Sequence, residues 1–82
     1  MVYVDDAEHK FGRMIMCHMA ADSIEELHDM ADKIGIKRRW FQNKERLPHY
    51  DICKQKRSLA VGFGAVEVTS RDLVKIFPRK KR

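Results

Sequence analysis

Several of the usual carriers of biochemical function are missing from this chain of 82 residues. It holds no Walker loop, no dinucleotide glycine fingerprint, no CxxC pair and no HExxH helix. Those absences exclude the standard phosphate cradle, the Rossmann cofactor site and zinc sites of familiar spacing. Only two cysteines occur, Cys17 and Cys53, too few for a disulfide framework. Without a secretion signal they are expected to be reduced thiols. No apolar run approaches membrane-spanning length, so no membrane partner is expected. The opening "MVYVDDAEHK" sets charge and apolar residues in the wrong order for a signal peptide, which leaves the cytoplasm as the expected location. No repeat, low-complexity segment or linker divides the chain. One domain over residues 1–78 with a basic tail at 79–82 is the expectation. A core of this size is marginal, so a homo-oligomer stays open.

What is present is charge. Seventeen Lys and Arg stand against twelve Asp and Glu, a net of +5. The excess favours phosphate-bearing partners, a nucleotide or nucleic acid, over acidic proteins or membranes. "KRR" at Lys37–Arg39 and "RKKR" at Arg79–Arg82 hold much of it, and the second reads equally as a solubilising end. Hydrophobic residues at 44% beside charged residues at 35% fit a folded globular chain.

The pattern of apolar residues predicts an α/β fold. "VYV" (Val2–Val4) is a short strand, and the almost continuously apolar "RMIMCHMA" (Arg13–Ala20) is a strand covered on both faces. Ser23 with Glu26 three residues on forms a capping box, and Gly35 stands where a left-handed cap belongs. Ile24, Leu27, Met30, Ala31 and Ile34 line one side of the helix between them. "IKRRWF" (Ile36–Phe41) suits a third strand, followed by a polar loop to Pro48. Asp51 would cap a second helix ending near Gly62 or Gly64. Ala65–Thr69 is a short strand, and Ser70 opens a last short helix through Ile76, stopped by Pro78. Alternation of strand and helix predicts a small single-domain sheet of three to four short strands, mostly parallel. Two main helices and a short C-terminal helix complete it.

In open parallel sheets, ligands gather beyond the carboxyl ends of the strands. His18 and Asp22 follow the second strand, Gln42 and the His49-Tyr50-Asp51 run follow the third, and Thr69, Ser70 and Arg71 follow the fourth. His49, Asp51, His18 and Tyr50 are the catalytic candidates. Trp40, Gln42, Ser70, Arg71, Asp22 and His28 are the ligand-binding candidates, the helix starts adding free N–H groups for a phosphate. Each has a plainer reading. Asp22 and Asp51 are natural helix caps, His18 and His28 natural core or margin histidines, and Phe41 a packing residue. His9 is expected to be exposed in a polar loop, and Cys53 to be an inert thiol. An acidic pair closing a strand is one way to hold a divalent metal ion, which makes Asp5 the candidate metal ligand. Against that, the short link "AEHKFG" allows no ordinary parallel crossover, and a hairpin would put Asp5 on the sheet edge opposite His18. Either the first two strands are then not neighbours or these acids lie outside the site.

The segments "VYVDD", "CHMAADSIEELHDMADKIGI", "RRWFQ", "PHYDI" and "GFGA", in that order, resemble a family of small bacterial and bacteriophage proteins classed as a domain of unknown function. The likeness spans roughly residues 2 to 68. It implies a shared fold and a polar set of Asp5, His18, Asp22, Glu26, His28, Trp40, Gln42, His49, Tyr50 and Asp51. It supplies no activity. Cys17 departs from the small or serine-like residue expected before the histidine, which argues against a hydroxyl nucleophile there.

Three functions follow from these residues. An enzyme would act on a nucleotide or phosphodiester with His49 or His18 as general acid/base and Tyr50 and Arg71 steadying the phosphate. Asp51, alone or with Asp5, would orient the base or hold a metal ion, with Asp22 the other candidate partner of the base. A binding module would hold the same ligand without turnover, with Trp40 stacking on a base. An adaptor or inhibitor would dock on a host protein, its His and Asp residues only bracing a small core.

Overall fold

The computed structural model describes residues 1–43 and 48–76. The tail Arg79–Arg82, Pro78 and part of the loop before Pro48 lie outside the described residues. Among the described residues there are five strands and three α-helices, with β1 at Val2–Val4, β2 at His9–Phe11, β3 at Met14–Ala21, β4 at Tyr50–Cys53 and β5 at Val66–Glu67. The helices are α1 at Ile24–Ile34, α2 at Lys54–Gly62 and α3 at Ser70–Ile76. Among the described residues no helix is long and apolar enough to cross a membrane.

The sheet is mixed but mainly antiparallel, which corrects the expectation of parallel strands. β3 is its centre and pairs antiparallel with β1, β2 and β4, while β1 and β5 pair in parallel. The reason is connection length. Phe11 pairs with Met14 across the two-residue turn Gly12-Arg13, and no parallel crossover fits in so few residues. Gly12 sits at φ 62, the positive φ that such hairpin turns require.

Met16 pairs with both His9 and Cys53, and Met19 with both Val4 and Tyr50. A residue has only two edges, so β4 runs along one side of β3 while β1 and β2 lie end to end along the other. Between the pairs Val4–Met19 and His9–Met16, residues 5–8 face only residues 17 and 18. The line of β1 and β2 therefore bulges by two residues beside His18.

Helix α1 forms as its sequence dictates. Ser23 Oγ accepts from the Glu26 amide at 3.1 Å, and Gly35 at φ 82 caps the far end. Leu27, Met30, Ala31 and Ile34 are buried against Val2, Val4, Cys17, Met19, Tyr50 and Ile52, with Ala60 of α2. Each fully buried large side chain there contributes about 1.5–3 kcal/mol. Both main helices cover one face of the sheet.

Two predicted elements are replaced. Ile36–Phe41 is no strand: Arg38–Trp40 forms a single 3-10 turn. Arg38 donates to Asp32 of α1 at 3.3 and 2.9 Å, which folds this segment back on the helix it leaves. "YDIC" supplies the strand instead, with alternate burial of Tyr50 and Ile52. Asp51 is consequently a strand residue, not a cap, and α2 starts at Lys54 after Cys53, without a side-chain cap. The strand at the third predicted position was sought one segment too early because its two apolar residues are too few to stand out.

Candidate functional site

Side chains alternate across a strand. Cys17 and Met19 enter the core, so His18 between them points to the opposite face, away from α1 and α2. By the same rule Tyr50 and Ile52 turn inward, and His49 and Asp51 turn outward beside it. His18 and Asp51 are direct cross-strand partners, and directly opposed residues share a face.

The bulge in the line of β1 and β2 adds the second half of the site. Asp5 continues the ladder with its amide, donating to the His18 carbonyl at 3.0 Å. Its side chain then takes the place of the next backbone acceptor: Oδ1 accepts from the His18 amide at 2.8 Å and from the Ala7 amide at 3.2 Å. Oδ2 lies 2.8 Å from His18 Nδ1. An ionised carboxylate only accepts, so that ring nitrogen carries the proton and donates. Arg57 of α2 donates through Nε to the Asp5 carbonyl at 2.7 Å and through a second nitrogen to Glu67 at 3.0 Å. Asp5 is 1% exposed and His18 33%. Bulges often re-aim a side chain in this way. The geometric objection to Asp5 is thereby overturned: the hairpin brings it onto His18 rather than to the far edge.

Electrostatics follow from that contact. Burial by itself would raise the Asp5 carboxyl, but the bonds from the His18 ring and from the His18 and Ala7 amides hold it below the ordinary carboxylate value. The bond to Asp5 raises His18 above the ordinary imidazole value; burial opposes, and the charges of Asp5 and Asp51 assist. With Nδ1 committed to Asp5, His18 Nε2 faces Asp51 Oδ1 at 3.8 Å. His49 Nε2 lies 3.4 Å from the same oxygen. Gln42, bridged to His49 through the backbone, donates from Nε2 to Asp51 Oδ2 at 2.7 Å. Oδ1 is buried and accepts no hydrogen bond among the described residues.

Three imidazoles meet at this place. The His18 and His49 rings stand edge to face at 5.3 Å, and His9 stacks on His18 at 5.0 Å. His9 belongs to β2 rather than to a loop, and it is the residue sequence reasoning missed. The available signal was its position five residues before Met14, which a tight turn at Gly12 places near His18.

The other candidates lie elsewhere. Tyr50 is fully buried on the helix side, where it shares a 2.7 Å hydrogen bond with His28 Nδ1 and packs with Phe41. Burial raises its phenol above the ordinary value. Tyr50 therefore leaves the catalytic set and braces the core, because strand alternation sends it away from His49, and its partner His28 lies on the helix side, apart from the His18 cluster. Asp22 does not serve His49; it accepts from the Tyr3 hydroxyl at 3.2 Å and pairs with the terminal amine at 3.3 Å. Ser70 donates through amide and hydroxyl to Asp6, so the two acids of "VYVDD" serve different ends. Arg71 is exposed on α3, and no hydrogen bond or ion pair among the described residues joins it to the His18 cluster. Trp40 is 60% exposed, with the Arg39 guanidinium 5.4 Å from its ring. Cys17 and Cys53 are free thiols, and burial pushes the Cys17 thiol up.

A family model described as "Protein of unknown function (DUF4031)" matches residues 2–80. No curated protein and no solved structure matches the chain.

Proposed function

We propose that this chain, which belongs to the DUF4031 family, binds and processes a phosphate-bearing ligand on the sheet face turned away from α1 and α2. The family description assigns no activity, so the reading rests on the residues. The observation that carries it is the Asp5–His18 pair, which holds a charge-stabilised, partly exposed imidazole beside His49 with its Nε2 facing Asp51. An imidazolium there offers positive charge and one hydrogen bond to a phosphate oxygen. His49 is the proton-transferring group. In hydrolysis a water oxygen attacks phosphorus, its proton passes to the His49 ring, and the bond to the leaving oxygen breaks. That oxygen leaves with a proton returned by the imidazolium. Asp51, fixed by Gln42, sets Oδ1 3.4 Å from His49 Nε2 and so stabilises the imidazolium formed there. The net charge of +5 draws a nucleotide or nucleic acid in the cytoplasm, and Trp40 with Arg39 is where a base would stack.

The test is a titration of nucleotides and short single-stranded oligonucleotides, followed by NMR shifts and by product release. Shifts centred on His18 and His49, with turnover lost in His49→Ala and affinity nearly kept, support an enzyme. Shifts without turnover in the wild type leave a binding module. A steep fall of affinity with salt assigns the ligand to nucleic acid. A second reading, docking on a protein partner, is favoured by exposed Leu59, Phe63 and Val74. It takes over if no phosphate compound shifts any resonance of the site.

A further inference from the structure

We propose that His9, His18 and Asp51 form a binding site for a divalent first-row transition-metal ion, zinc being the one expected. One ligand atom from each, two imidazole nitrogens and a carboxylate oxygen, all lie within 4.8 Å of one another. They come from three strands and so follow no linear spacing motif.

The two inner ligands are already oriented. His18 gives Nδ1–H to the buried Asp5 carboxylate, which leaves the lone pair on Nε2, directed at Asp51. A carboxylate behind a histidine is the usual support of a metal-binding imidazole, fixing its tautomer and raising its basicity. Asp51 is held at Oδ2 by Gln42, while Oδ1 is buried without a hydrogen bond, with His49 Nε2 3.4 Å and His18 Nε2 3.8 Å away. A buried carboxylate oxygen normally finds a donor, and a cation meets that need. The outer ligand adapts. A tetrahedral shell brings donor atoms to about 3.3 Å from one another. His9, whose ring is stacked on His18, must turn about its side-chain torsions to converge. Its exposed position on β2 allows this at little cost.

Two imidazoles with one carboxylate suit zinc, manganese, iron, cobalt or nickel, whereas magnesium and calcium prefer oxygen alone. Three protein ligands leave a position for water or a phosphate oxygen, the arrangement of catalytic rather than structural zinc. The metal inference needs only these side chains and does not rest on the phosphate reading. An ion bound at Nε2 would present positive charge where the imidazolium does so without it.

The experiment is zinc titration of the metal-free full chain at neutral pH, by calorimetry and by NMR of the histidine ring nitrogens. The visible absorption of the cobalt form reports the coordination geometry. No phosphate ligand is present, so a negative result leaves the phosphate reading standing and the reverse also holds. The expected result is one zinc per chain, tighter than about 0.1 mM, with His9 and His18 ring nitrogens shifting together and His28 unmoved. His9→Ala, an exposed substitution that should leave the fold intact, should weaken binding about tenfold or more. Asp5→Asn should weaken it about 10–100-fold without touching a ligand. The proposal is overturned by an affinity unchanged in His9→Ala, or by magnesium binding as tightly as zinc. Uptake lost in Cys53→Ser but kept in His9→Ala also overturns it, as does the lack of saturable uptake.

Discussion

Replacing Asp5 with asparagine tests the central contact of this fold. The carboxylate is 1% exposed and accepts three hydrogen bonds, from the His18 ring and the His18 and Ala7 amides. Asparagine is nearly isosteric, and its carbonyl can keep the two amide donors. Its NH₂ group then faces His18 Nδ1 and donates, so the ring must accept there and carry its proton on Nε2. The buried charge-assisted bond is lost, a loss of about 2–4 kcal/mol below the imidazole pKa. The sign of the pH dependence follows from both partners. Asp5, held low, contributes stability above the ordinary carboxylate range, and that share fades as pH falls through its lowered value. His18, held high, contributes below the ordinary imidazole value, and that share fades as pH rises through its raised value. The pair therefore supports the fold most between about pH 4 and 6.5. The groups facing His18 across this range are Asp5, Asp51, His9 and His49. Urea unfolding of metal-free wild type and Asp5→Asn across pH, with ring-nitrogen NMR for the tautomer, reads all three effects. An unshifted His18 titration, an unchanged tautomer, or a stability loss below about 0.5 kcal/mol would refute the reasoning.

Other outcomes are expected from the same structure. Tyr50→Phe should cost about 1 kcal/mol by removing the bond to His28, and should leave His18 resonances in place; movement of those resonances in NMR would break the assignment of Tyr50 to the other face. Ser23→Ala should cost about 1 kcal/mol in thermal or urea unfolding through the lost cap on α1. His49→Ala should abolish turnover of a phosphate ligand with little change in calorimetric affinity, whereas Asp22→Asn should alter neither.

The elements legible in the sequence are those whose causes are local. Ser23, Glu26 and Gly35 announce both ends of α1, and its apolar stripe at 3.6-residue spacing announces the buried face. Ser70 through Ile76 is a helix where its start signal lies. The apolar run around Met14–Ala21 reads as a strand, though one that is helix-covered on a single face with His18 on the other. The tripeptide His49-Tyr50-Asp51 is one cluster along the chain, yet the pleat divides it: His49 and Asp51 go to one face and Tyr50 to the other.

Pairing was decided elsewhere in the chain. Whether β3 takes β4 as a neighbour, in which direction, and in which register depends on contacts between residues more than thirty positions apart. Such contacts leave no periodic mark in either segment. The site depends on them completely. A one-residue slip of β4 would turn Asp51 into the core and Tyr50 onto the open face, and a bulge shorter by two residues would remove Asp5 from His18. The sequence by itself determined which side chains could hold a proton, a phosphate or a metal, because those are properties of single residues. Only the tertiary structure decided that Asp5, His9, His18, His49 and Asp51 meet, because strand register and a two-residue bulge are cooperative properties of the whole sheet.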